Sequence, residues 1–245
     1  MTETSLVFQN YASQIRTIFE KFQSTQSEAL EKTADKITAA YLNHKRFLVF
    51  GSGHSHMIAE EFYARAGGLA YVTPVLQSEL TLTDHPNKST LIERTQEMAK
   101  VYFNLYHFEA GDVLLIASNS GRNAMPIELA KMAKEAGLTV IVFTNLSQTL
   151  KATSKHTAGK NLHAYADIVI DNCGEFGDAG FDIGSGIMMG ASSTFIGAFC
   201  AQAISILVAM KIKELGMDIP VFRSANLDGA DVTNAEMMKR FAKSF

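Results

Sequence analysis

Two short segments of the sequence gather the residue types that hold an anion. Gly51-Ser-Gly-His-Ser55 follows the apolar run Phe47-Leu-Val-Phe50, and Ser118-Asn-Ser-Gly-Arg-Asn123 follows Asp112-Val-Leu-Leu-Ile-Ala117. Glycine lets backbone approach a ligand, and the hydroxyls of Ser52, Ser55, Ser118 and Ser120 can donate to it. A helix beginning after each segment adds amides with no partner of their own. Two such loops at two strand ends point to a phosphate site. Neither loop is a nucleotide motif. The third glycine of a dinucleotide fingerprint would fall on His56, and no Gly-x-x-x-x-Gly-Lys-Ser/Thr occurs, so no cofactor is expected.

The elements that must carry these loops follow from hydrophobic periodicity. Phe47–Phe50, Tyr71–Leu76, Asp112–Ala117, Thr139–Thr144 and Ala166–Asp171 read as strands, with Pro74 suited to an end or an edge. Helical patterns alternate with them, from about Ser55 to Ala66, Ser89 to Leu105 and Ala124 to Ala136. Strands apolar on both faces, alternating with helices, predict an α/β fold whose parallel sheet is covered on both sides. Ahead of the first strand, Val7, Tyr11, Ile15, Ile18, Phe19 and Phe22 share one helical face. Thr25-Gln-Ser-Glu28 matches a capping box, so a second helix is expected to start there. The chain reads as one domain, with an N-terminal helical arm over 1–44, an α/β core over 45–215, and a C-terminal loop and helix over 216–245.

Composition narrows the partners. Of the 245 residues, 47% are hydrophobic and 19% charged, enough for a sizeable core, and the net charge of −3 favours neither nucleic acid nor an anionic membrane. Cys173 and Cys200 are too few for a disulfide framework and fit a reducing cytoplasm. No charge lies between Asp182 and Lys211, a run long enough to cross a bilayer. Glycines and hydroxyls interrupt it, and it reads as a loop and a buried helix rather than a span. The N-terminus lacks the basic and apolar regions of a signal peptide. The seven histidines show no ligand spacing with one another, and no metal is expected.

The Ser-Asn-Ser-Gly-Arg-Asn segment, at a strand end and a helix start, resembles the Ser-x-Ser-Gly-x-Thr/Asn loop of SIS (sugar isomerase) domains. Gly51-Ser-Gly-His-Ser55 is similar to their first-strand loop. Asp171-Asn-Cys-Gly174, Gly177-Asp-Ala179, Ser193-Thr194 and Pro220-Val-Phe-Arg-Ser-Ala-Asn-Leu-Asp-Gly229 resemble the UPF0309 family of SIS proteins. The resemblance covers roughly residues 35–215. It implies a doubly wound, five-stranded, flavodoxin-like parallel sheet in three α/β/α layers, with an N-terminal helical pair. It also implies a phosphorylated sugar as ligand, and a homodimer or tetramer with sites near the subunit interface. Ser52, Ser55, Ser118, Asn119, Ser120 and Asn123 would hold the phosphosugar, with Ser193 and Thr194 as further donors or helix caps. Asn123 stands where a threonine is commoner and donates through an amide instead.

Aldose–ketose isomerisation needs a base that moves a proton between adjacent carbons, and a group that helps open the ring. Glu79, in Gln77-Ser-Glu-Leu80, resembles a Ser-Glu-Phe stretch that carries the catalytic glutamate of some SIS isomerases. His54, inside the first loop, and His85, in Thr83-Asp-His-Pro86, are the candidate proton shuttles. The same enolisation would serve a lyase or etherase acting on a phosphorylated amino sugar. A sensor that only binds the sugar phosphate would need the loops and no base.

Overall fold

A computed structural model describes residues 3–83 and 85–241; Met1, Thr2, Asp84 and the last four residues lie outside it. The chain opens with α1 (Glu3–Leu42), then runs β1 (Phe47–Gly51), α2 (His56–Phe62), β2 (Val72–Val75), α3 (Lys88–Glu93) and α4 (Met98–Leu105). It continues through β3 (Val113–Ala117), α5 (Ala124–Glu135), β4 (Thr139–Thr144), α6 (Leu146–Lys151) and β5 (Ile168–Asp171). A hairpin of β6 (Ala179–Asp182) and β7 (Met188–Ala191) leads to α7 (Ser193–Glu214) and α8 (Ala230–Phe241).

The first five strands form one parallel sheet in the order β2-β1-β3-β4-β5. This is the doubly wound order that the strand pattern and the resemblance imply. Alternate residues of each strand enter two cores. Phe47, Val49, Val113 and Leu115 face α1, α2 and α7, whereas Leu48, Phe50, Leu114 and Ile116 face α4 and α5. β2 is an edge strand, which is why it tolerates Pro74.

The expected helical pair is a single helix. Nothing in 3–42 is glycine or proline, and the residues taken for a capping box serve the helix from within. Thr25 Oγ1 donates back to the Lys21 carbonyl at 2.7 Å, and Glu28 pairs with Lys32 at 2.6 Å, one turn on. Ile18, Phe22, Leu30, Ala34 and Ile37 form one buried stripe through that point. The helix expected over 89–105 is instead two, α3 and α4, separated by the turn at 94–97. The loop expected before the uncharged helix contains the β6–β7 hairpin. It is tied to α1 by a bond from Gln14 Nε2 to the Gly180 carbonyl (2.8 Å) and by the edge-on contact of Tyr11 with Phe181. α7 is long and apolar enough to cross a membrane. One face of it, with Ile196, Cys200, Ile204 and Val208, is part of the core.

At the N-terminal edge of the sheet a buried ion pair joins β1 to β3. Asp112, 1% exposed, accepts from the Arg46 backbone N–H (2.8 Å), from its Nη2 (2.6 Å) and Nε (3.1 Å), and from the Glu109 N–H (3.2 Å). Arg46 also reaches the Tyr106 and His107 carbonyls.

Candidate functional site

β1 and β3 are neighbours, with Gly51 beside Ala117, so the loops leaving their carboxyl ends stand side by side. This is where an open parallel sheet offers ligands a crevice. The first loop turns at once into a short helical turn and α2. That path allows no side chain at position 51, because a Cβ there would lie 2.1 Å from the Ser55 carbonyl oxygen. His56 is buried and steadies the turn by donating from Nδ1 to the Gly53 carbonyl. In the second loop, Gly121 takes the left-handed conformation (φ +58°) with Thr149 Oγ1 2.6 Å from where a Cβ would be. The Ser118 N–H extends the ladder to the Phe143 carbonyl, and the Asn119 side chain accepts from Asn172 at 2.6 Å. The first loop is therefore held by His56 and its own backbone, and the second by the strand ladder and the buried Asn172 amide.

Between them lies a cleft of about 460 Å³. The loops contribute Ser52, His54, Ser55, Ser118, Asn119, Ser120 and Asn123, which the sequence singles out, and α3 contributes Ser89, Thr90 and Glu93, which it does not. Glu93 is the most informative of these. Its Oε2 accepts from Ser52 Oγ at 2.6 Å and its Oε1 from Asn123 Nδ2 at 2.7 Å, so one carboxyl bridges the two loops. Burial pushes its pKa above the usual glutamate value. The Ser52 hydrogen bond and the charges of Arg94 and Lys155 oppose that rise. Among the described residues the hydroxyls of Ser55, Ser118 and Ser120 have no hydrogen-bond partner, although all three line the cleft. Two buried atoms at the same place, Ser89 Oγ and Asn123 Oδ1, are also without a partner. Buried polar atoms are rarely left so unless a ligand or solvent meets them. The arrangement offers hydroxyls and amides for an anion, and one carboxyl of raised proton affinity beside them.

Other candidates lie elsewhere. Glu79 is exposed on a short helical turn at Ser78–Leu80, outside the cleft lining, because that turn buries Leu80 and directs its neighbour to solvent. His85 is exposed and accepts the Asn87 N–H through Nδ1 (3.1 Å), a local role at the start of α3. Ser193 donates to Asp178 at 2.6 Å, and that carboxylate also takes the N–H groups of Ser192 and Ser193. This caps α7 beside the hairpin, and neither Ser193 nor Thr194 lines the cleft. His54 is the one candidate histidine in the lining, exposed at its rim. No three His, Cys, Asp or Glu side chains gather as a metal group among the described residues.

Glu93 escapes a reading of the sequence because nothing within the Ile92-Glu-Arg94 segment marks it. The available signal was indirect: Ser89, Thr90 and Glu93 fall on one face of a helix that starts just after a proline.

Comparison with known proteins agrees with the fold. The family model of the SIS domain matches residues 10–145. UPF0309 protein BH3325 of Halalkalibacterium halodurans is 45% identical over 96% of this chain and 98% of its own length. UPF0309 protein TTE0306 of Caldanaerobacter subterraneus subsp. tengcongensis is 38% identical over 95% of this chain and 96% of its own. Among solved structures, a phosphoheptose isomerase from Francisella tularensis superposes with a TM-score of 0.54. It is 15% identical, and the match covers 86% of this chain and all of that one. That likeness is one of fold. On sequence and fold together, the chain belongs to the SIS-domain proteins and, among them, to the UPF0309 family.

Proposed function

We propose that the cleft binds a phosphorylated sugar and that the protein is an aldose–ketose isomerase with Glu93 as its base. The observation that carries this reading is the position of Glu93, a buried carboxyl held by one residue from each hydroxyl loop. The phosphate sits against the Ser118 and Ser120 hydroxyls and the amides of the second loop, with Ser55 reaching it from the first. The sugar then extends toward α3. Glu93 takes the proton from the carbon next to the carbonyl, leaving an enediolate; the hydroxyl proton passes from one oxygen to the other, and Glu93 returns its proton to the adjacent carbon. Ser52 and Asn123 hold the carboxyl in place and stabilise its charge before the first transfer and after the second. His54, at the rim, is placed to protonate the ring oxygen as the ring opens. The solved phosphoheptose isomerase of similar fold supports a phosphosugar reaction of this class.

Binding is tested first, by calorimetry with a panel of hexose, pentose and amino-sugar phosphates. The wild-type protein should bind at least one, and Ser118→Ala/Ser120→Ala should weaken it about tenfold or more, since hydrogen bonds to a charged group contribute about 1.5–3 kcal/mol each. Unchanged affinity in the double variant rejects the site. Exchange of the C2 proton with solvent deuterium in the bound sugar then separates an enzyme from a sensor.

The reading includes a second copy of the chain and a cytoplasmic setting. The setting is supported by Cys173 and Cys200, both free thiols. The assembly is supported by large apolar side chains left bare on α7 and the adjoining hairpin, among them Phe195, Ile206 and Met210, with Ile187, Met188 and Met189. Surfaces of this character belong to interfaces. Light scattering should give at least twice the chain mass of 26.8 kDa; a monomer at micromolar concentration removes the assembly.

A further inference from the structure

Two cations adjoin cleft-lining residues in the chain and a third lies within electrostatic reach of Glu93; none of the three lines the cleft itself, and none forms an ion pair with any of the described residues. Arg122 lies within the second loop, immediately before Asn123, and its Nε is buried without a partner. Arg94 follows Glu93 at the end of α3. Lys155 belongs to the segment after α6, and its backbone N–H donates to the Arg122 carbonyl at 2.9 Å.

That segment has no strand or helix to hold it, yet it is fixed by side chains. His156, buried, bonds through Nε2 to Glu128 of α5 at 2.5 Å, and its Nδ1 accepts the Ala158 N–H at 3.0 Å. Thr157 Oγ1 donates to Gln96 Oε1 at 3.0 Å, and Gln96 Nε2 donates to Glu128 at 3.2 Å. Asn161 Nδ2 clasps the Thr149 and Ala152 carbonyls, each at 2.7 Å. The network joins the turn that bears Arg94 to the segment that bears Lys155, and lays both against α5. Burial and the two arginine charges depress the Lys155 pKa, while Glu93 works in the opposite direction. A scaffold that holds three cations around one buried carboxyl leaves an excess of positive charge there, which favours a further anion.

Resting on the phosphosugar reading of the cleft, we infer that Arg94, Arg122 and Lys155 form a second anion subsite, and that the ligand is a sugar phosphate bearing another acidic group. The serine loops take the phosphate, and the cations take a carboxylate or second phosphate on the far side of Glu93. Two guanidinium groups suit either anion, because a planar fork matches paired oxygens.

The test compares glucose 6-phosphate with 6-phosphogluconate and glucose 1,6-bisphosphate by calorimetry. At least one doubly acidic ligand should bind about tenfold tighter or more, the scale of one charge-assisted hydrogen bond; the tighter of the two names the second group. In Arg94→Gln/Lys155→Gln, both at exposed positions, that advantage should fall to about twofold while glucose 6-phosphate affinity is retained. Arg122→Gln should act in the same direction. Equal affinity for all three ligands, or variants that weaken all three alike, overturns the second subsite and leaves the phosphosugar reading standing. Failure of all three to bind overturns the second subsite as drawn for a six-carbon ligand, and the wider panel of sugar phosphates decides the phosphosugar reading by itself.

Discussion

Glu93→Gln should lower the rate of C2 proton exchange by about 10²–10⁴-fold, the range over which a positioned general base acts, while sugar-phosphate affinity changes by no more than a few fold. The substitution keeps the shape of the side chain, and its amide oxygen can still accept from Ser52 or Asn123, which both donate to Glu93. What it removes is the ability to take a proton. The pH profile carries a second signature. Burial raises the Glu93 pKa above its ordinary value of 4.5, and only the ionised carboxylate is a base. The wild-type rate should therefore rise with pH through an inflection above that value, and the inflection should vanish from the residual rate of the variant. The same raised pKa predicts a stability difference. Protonated Glu93 suits its buried position, so its contribution to stability is present below 4.5 and is lost as pH rises through the folded-state value. Glu79→Gln is the matched control, because that carboxylate is exposed outside the cleft. Full exchange in Glu93→Gln, or its collapse in Glu79→Gln, would return the role of base to the 3-residue turn after β2.

Asp112→Ala should cost about 3–5 kcal/mol of folding free energy, the scale for removing one partner of a buried ion pair, read as a shift in the urea midpoint. Asp112 is 1% exposed and satisfies the Arg46 guanidinium together with two backbone N–H groups. Its loss leaves two backbone amides without acceptors and a nearly buried cation without its counter-charge, held only by the Tyr106 and His107 carbonyls. The pair lies at the amino ends of β1 and β3, whereas the cleft lies at their carboxyl ends. Protein that remains folded should thus bind its ligand with unchanged affinity. A midpoint shift worth less than about 1 kcal/mol would assign the pair no more than the weight of a surface contact.

The sheet was legible because its strands are buried on both faces, so Val113–Ala117 and Thr139–Thr144 announce themselves as unbroken apolar runs. The two hydroxyl loops were legible because their chemistry is contiguous in the chain. Glu93 was not, since it lies 41 residues from Ser52 and 30 from Asn123. Its role arises only when α3 folds back over the strand ends. The cation cluster is hidden in the same way, behind the contacts of Gln96 with Thr157 and of His156 with Glu128. The misread break in α1 has a local cause. A hydroxyl followed three residues later by a glutamate fits a helix start and a helix interior equally, and Thr25 chooses by donating backward to Lys21. The hairpin was missed because glycines and exposed apolar residues obscure any alternation over 179–191.

The single long α1 also has a consequence for the order of events on the ribosome. Its Gln26 side chain accepts from the backbone of Asp171, 145 residues later, and Gln14 donates to Gly180, 166 residues later. At about 5–20 residues per second, those partners emerge roughly 8–30 s after the helix itself. The strands β1 to β4 can pair with one another in that interval and offer α1 part of its seat, but the stripe of Ile18, Phe22 and Ile37 is fully covered only once β5 and α7 have been made. α1 is thus complete long before the elements that cover most of it.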